Sequence, residues 1–245
     1  MQVVESSAPL RRRPAPDAPL ETEALFGESV TVYDDGGEGW AWAQLDRDGY
    51  VGYLPSVALG LTSAPTHRVA ALRAHVYPGP SIKLPPMIAL SLGARATIAR
   101  VDGDFAVTAD GRHLSARHLA PAESCESDFV AVAERFLHAP YLWGGRTSEG
   151  IDCSGLVQTA LTAAGLSAPR DSDMQAALGE PLPPAAALKR GDLVFWKGHV
   201  AVMRDAATLI HASGWHMAVV SERLAEARAR IAAGGGGDVT GLRRL

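Results

Sequence analysis

The chain has 245 residues, 47% hydrophobic and 20% charged, a composition ordinary for a globular protein long enough for one large or two to three small domains. A formal net charge of -4 and a pI near 6.1 leave no basic footprint for nucleic acid and no polybasic patch for an acidic membrane surface. Two cysteines, Cys125 and Cys153, are too few for a disulfide framework or a four-ligand metal site. No stretch reaches the roughly 20 apolar residues of a bilayer span.

The first twenty residues, MQVVESSAPLRRRPAPDAPL, lack the apolar core of a secretory leader, and a cytoplasmic location is the expectation. Over residues 1–60, β-forming segments at Ser29 to Tyr33, Gly39 to Leu45 and Tyr50 to Leu54 are separated by Asp-Gly-rich turns, a spacing that predicts a small barrel. Residues 61–121 read as a degraded copy. Leu92-Gly93-Ala94-Arg95-Ala96-Thr97-Ile98 parallels Phe26-Gly27-Glu28-Ser29-Val30-Thr31-Val32, with most aromatics lost. After a linker at Pro121 to Cys125, the spacing of Phe129, Val130, Ala133, Phe136 and Leu137 predicts a helix ended by Pro140.

The segment YLWGGRTSEGIDCSGLVQTALTAAGL, Tyr141 to Leu166, places Cys153 at the start of an amphipathic helix that Gly165 is suited to end. Unpaired N–H groups and the helix dipole favour a thiolate there, whereas a free thiol of pKa about 8.5 is only roughly 3% ionised at pH 7. Strands follow at Leu193 to Trp196, Val200 to Met203, Thr208 to Ala212, Met217 to Val220 and Val239 to Leu245, with Lys197-Gly198 as a hairpin turn and a helix at Glu222 to Ala232. Helices before an antiparallel sheet make residues 122–245 an α+β domain.

Asp152-Cys153-Ser154-Gly155, preceded by Tyr141-Leu142-Trp143-Gly144-Gly145, resembles the nucleophile segment of the NlpC family of bacterial cell-wall cysteine peptidases. The resemblance continues through Pro169-Arg170-Asp171-Ser172 and Gln175, Arg190-Gly191-Asp192-Leu193-Val194-Phe195, His199-Val200-Ala201-Val202 and Ile210-His211-Ala212. Gly27, Gly39-Trp40 and Gly49-Tyr50-Val51-Gly52-Tyr53 resemble the bacterial SH3-like domain. The architecture this implies is a papain-like catalytic domain at 122–245 behind two SH3-like barrels at 1–60 and 61–121.

The resemblance makes Cys153 the nucleophile, His199 its general base and His211 the group that orients the base. Tyr141 becomes a hydroxyl donor at the rim, beside the Cys153 N–H as oxyanion donor. Asp152 has two readings, a helix cap or, with Ser154, a ligand for the α-amine of a bound peptide; Tyr50 or Tyr53 of the first barrel would meet the same amine. The implied substrate is a murein peptide, L-Ala-D-γ-Glu-diamino acid, cut after D-γ-glutamate during wall recycling. Another amide hydrolysis or acyl transfer on this fold, and a non-catalytic wall-binding protein, are the rival readings. No metal and no cofactor are expected: His199 and His211 lack helical i, i+4 spacing, and the glycines match no Walker loop or dinucleotide fingerprint.

Overall fold

A computed structural model describes all 245 residues, which divide into two compact units, Met1–Ser124 and Cys125–Leu245. In the first unit, strands Leu20–Leu25, Ser7–Arg11, Val51–Pro55, Trp40–Leu45 and Val30–Asp35 form, in that spatial order, an antiparallel sheet. Alternation along Trp40–Leu45 turns Ala41, Ala43 and Leu45 inward, where they meet Leu10, Ala24 and Leu54. The Ser7–Arg11 strand carries Pro9, and a run of arginines and prolines joins it to Leu20–Leu25, which hides the alternation of this hairpin in the sequence.

The same layout recurs in Ile88–Ser91, Arg73–Tyr77, His113–Ser115, Phe105–Thr108 and Ile98–Asp102, around Val76, Leu90, Ala106 and Leu114. Its irregularities repeat as well. The bulge between Val32 and Asp34 has a counterpart between Ile98 and Arg100, and the short 3-10 turns Ser56–Ala58 and Ala116–His118 occupy matching places. Gly27, at φ 77°, matches Gly93 at φ 92°. A Cβ on Gly27 would lie 2.0 Å from the Arg95 carbonyl oxygen, so only glycine lets the two copies approach there.

The second unit begins with helix α1, Phe129–Glu134, capped by Asp128, whose Oδ1 accepts from the N–H groups of Val130 and Ala131. This helix is shorter than its apolar spacing predicts. Regular structure ends at Glu134, and turns carry Phe136 into the core. Helix α2, Cys153–Ala163, ends where Gly165 takes φ 79°. Helix α3, Ser172–Gln175, is a single turn, too short for apolar spacing to announce it.

A six-stranded antiparallel sheet follows, ordered Glu180–Pro181, Gly241–Arg244, Leu193–Trp196, His199–Met203, Thr208–Ser213 and Ala218–Arg223. One face carries Val194, Trp196, Ala201, Met203 and Leu209 against Ala227 of α4, Leu224–Ala233. Helix α2 packs against the His199–Met203 and Thr208–Ser213 strands, so the first turn of α2 is set beside the strand that His199 opens. The last strand of the hairpin runs to Arg223, whereas the sequence spacing starts a helix at Glu222. That places Glu222 in the sheet.

Candidate active site

Cys153 is the first residue of α2 and only 7% exposed. Its placement follows from the glycines before and after it. A Cβ on Gly155 would fall 2.4 Å from the Gly145 carbonyl oxygen, so the first turn of α2 sits directly on the Gly144-Gly145 loop. Asp152 caps α2 by accepting from Gly155 N–H at 2.7 Å, and takes a further bond from Gly144 N–H at 2.8 Å, which ties loop and helix together.

Burial, aided by the Asp152 charge, pushes the Cys153 thiol up to about 11; the N–H groups of Val200 and Ser154 pull the other way and do not prevail. This corrects the expectation of a thiolate stabilised by the helix N-terminus. The favourable N–H contribution is present, and desolvation exceeds it. Cys125, the other cysteine, is exposed, so preferential alkylation of Cys153 by a small electrophile is not expected.

The contact with the Val200 backbone puts the sulfur next to the residue that follows His199. Strand register Val202–Ile210 and Met203–Leu209, continued one step, sets His211 opposite Ala201 and diagonal to His199 on the same face. The imidazoles meet: His199 Nε2 lies 2.7 Å from His211 Nδ1, and His211 Nε2 lies 2.8 Å from Glu222 Oε1. Arg230 donates to the same Glu222 oxygen. Spacing along the chain does not single out Glu222, because its surroundings read as a helix start.

Protonation along this relay follows from its far end. Burial works to raise the Glu222 carboxyl, but the bonds and charges of His211 and Arg230 together bring it down to about 2, so Glu222 is an ionised acceptor. His211 therefore carries its proton on Nε2 and accepts at Nδ1 from the Nε2–H of His199. The Nδ1 lone pair of His199 is left for another proton. Burial, with the cost of charging two adjacent imidazoles together and the Arg230 charge adding to it, pushes His199 down to about 3, and burial lowers His211 too. Both rings rest neutral.

Tyr141 is half-buried, with its backbone N–H on the Met217 carbonyl at 3.0 Å. Burial first, then the charges of Cys153 and Asp152, push its phenol up to about 12, so it stays a neutral donor within electrostatic reach of the sulfur. Asp152 and Ser154 share a partner that the sequence shows only as part of the Pro169-Arg170-Asp171-Ser172 motif. Arg170, 2% exposed, reaches Asp152 Oδ2 at 2.6 Å and Oδ1 at 2.9 Å, and also Ser154 Oγ at 2.8 Å. Both carboxylate oxygens are thus already engaged. Tyr50 and Tyr53 belong to the first unit, where Tyr50 packs on the barrel core and Tyr53 meets Trp42 in a tilted ring contact with centroids 4.8 Å apart.

Glu222 reaches His199 only through His211, so with His199 as the expected base it is a positioning residue, and its loss should show in the pH profile as well as the rate. Glu222→Gln is expected to lower kcat about 10- to 100-fold with little change in KM, a loss within the range of general-base catalysis. The Glu222 charge raises His199, so removing it should also shift the acid limb of kcat/KM to lower pH. A rate loss with an unmoved acid limb would leave Glu222 as packing alone.

Comparison with known proteins places these residues in a family. Residues 10–59 match the bacterial dipeptidyl-peptidase Sh3 domain and residues 138–230 match the NlpC/P60 family. A γ-D-glutamyl-L-lysine dipeptidyl-peptidase of Bacillus subtilis is 31% identical over 223 residues, 80% of this chain and 73% of the relative. One of the same name from Bacillus cereus is 28% identical over 227 residues, 78% of this chain and 67% of the relative. A solved NlpC/P60 family protein from Bacillus cereus shares the fold with a TM-score of 0.81 at 23% identity, covering 99% of this chain and 98% of that one. Since the matched region contains Cys153, His199, His211 and Glu222, and the likeness to the Bacillus subtilis enzyme covers 80% of the chain, the chain belongs to the NlpC/P60 family of cysteine peptidases.

Proposed function

We propose that this peptidase hydrolyses the amide between D-γ-glutamate and the diamino acid of murein peptides whose N-terminal L-Ala is free. The hydrogen-bonded relay from His199 through His211 to Glu222, opened on the strand whose Val200 N–H meets the Cys153 sulfur, supports the chemistry. The substrate rests on the two relatives matched over most of the chain, both named γ-D-glutamyl-L-lysine dipeptidyl-peptidase. That name means two residues ahead of the cleaved bond and an unblocked amine.

In this reading the thiol of Cys153 loses its proton to His199 Nδ1 as Sγ attacks the γ-carbonyl. The Cys153 N–H, which as the first residue of a helix has no intrahelical acceptor, and the Tyr141 hydroxyl face the developing oxyanion. His199 returns the proton to the departing amine, leaving an acyl-enzyme on Cys153, and then activates the water that hydrolyses it. Neutral thiol and neutral imidazole suit such coupled transfer, since burial penalises either charge formed alone.

Defined peptides with free and blocked N-termini test the reading, with products identified by mass. L-Ala-D-γ-Glu-L-Lys should yield L-Ala-D-Glu and lysine. Its N-acetylated form should be cut at least roughly a hundredfold more slowly in kcat/KM, about 2.7 kcal/mol of lost transition-state stabilisation. Equal rates on the two would refute the free-amine requirement, and with it a recycling role on soluble peptides in the cytoplasm, while leaving the Cys153 chemistry in place.

A further inference from the structure

We propose that His211, His216 and Glu222 form a binding site for a divalent transition metal, zinc by its donor set, and that the bound metal reversibly switches the peptidase off. Each of the three offers a ligand atom, and these atoms lie within 4.8 Å of one another. Two imidazoles and a carboxylate, with a fourth position left to water, are a tetrahedral zinc donor set. His211 Nε2 already stands 2.8 Å from the Glu222 carboxylate through Oε1, so the two side chains are drawn together before any metal arrives.

The third ligand is the one that moves. His216 is exposed in the turn between the Thr208–Ser213 and Ala218–Arg223 strands, and its ring holds only Ser213 Oγ, at 3.0 Å from Nδ1. Turning that ring toward His211 and Glu222 costs one part-buried hydrogen bond. Both contacts to Glu222 fall on Oε1, so Oε2 is available to a metal while Oε1 keeps Arg230. The Arg230 cation beside the site opposes a second positive charge, which suits a labile inhibitory metal more than a permanent structural one.

Inhibition, though not binding, rests on the reading of Cys153 and His199 as nucleophile and base. A metal on His211 Nε2 displaces the proton there to solvent, and the neutral ring must then carry its proton on Nδ1. It takes that proton from His199 Nε2. His199 regains one from solvent on Nδ1, so the count is unchanged and each ring remains neutral. The His199 lone pair that the proposed mechanism uses, on Nδ1, is replaced by one on Nε2, the side that meets His211, and the base is lost without any change at the sulfur.

The test compares the metal-free wild type with His216→Ala, a variant in an exposed turn outside the relay. Zinc chloride should halt wild-type cleavage of L-Ala-D-γ-Glu-L-Lys and EDTA should restore it. His216→Ala should keep the basal rate and need at least tenfold more zinc. Because zinc also attacks thiol sites directly, a second arm uses Co2+ absorption on Cys153→Ala protein. There a tetrahedral visible spectrum without a thiolate charge-transfer band is expected, lost when His216→Ala is added. Equal zinc sensitivity of wild type and His216→Ala, or a Co2+ spectrum indifferent to His216, overturns the proposal. If the wild type cleaves no peptide, the functional reading fails while the Co2+ arm still decides the metal site.

Discussion

Cys153→Ala is expected to abolish turnover, a fall of at least about 10^4-fold in kcat, while leaving the fold intact. The two neutral partners explain why nothing replaces the thiol. With Cys153 raised to about 11 and His199 lowered to about 3, the site holds no preformed thiolate and imidazolium, and the proposed reaction moves the proton from sulfur to nitrogen as the bond to carbon forms. Alanine has no proton to give and no lone pair to attack. Serine offers both, but a hydroxyl is far harder to ionise than a thiol, and the same burial that raises Cys153 would penalise an alkoxide more. Cys153→Ser should therefore be nearly as inactive. Single-turnover mass analysis with wild type and both variants, alongside circular dichroism, checks this. Turnover retained by Cys153→Ala would sink the mechanism.

Much of this site is legible in the sequence because its signals are local. The helix start at Cys153 announces itself through glycine loop, capping aspartate and apolar spacing, and His199 opens a strand after a Lys-Gly turn that marks a hairpin. The pairing of His199 with His211 follows from two short antiparallel strands twelve residues apart at their histidines. What stays hidden depends on contacts that spacing does not encode. Glu222 sits at a strand-to-helix junction, where Ser-Glu-Arg-Leu reads as a helix cap and first turn; tertiary pairing with Leu209 keeps it extended. The direction of the Cys153 shift is hidden for a different reason. Helix polarity can be read from sequence, whereas the desolvation that outweighs it depends on how deeply the folded chain buries the sulfur.

Arg170 is the largest of these hidden contacts, and it changes what Asp152 is expected to do. The carboxylate accepts from Gly144 N–H, Gly155 N–H and Ser154 Oγ besides the two guanidinium nitrogens, so a substrate amine would have to displace partners already in place. Asp152→Asn should consequently act on stability before specificity. An amide NH2 at either position faces N–H donors, and Arg170, almost wholly buried, is left with an uncompensated charge. Breaking a buried pair from one side typically costs about 3–5 kcal/mol, and urea unfolding of Asp152→Asn should show a loss of that order. Replacing both partners removes the orphaned charge, so Asp152→Asn combined with Arg170→Met should be more stable than Asp152→Asn alone by about 1–2 kcal/mol. Both variants should lose activity, because Asp152 also fixes the loop beneath Cys153. The alternative has a distinct signature. If Asp152→Asn unfolds within about 1 kcal/mol of the parent yet no longer discriminates against the N-acetylated tripeptide, the carboxylate serves the substrate amine and its bond to Arg170 yields when peptide binds.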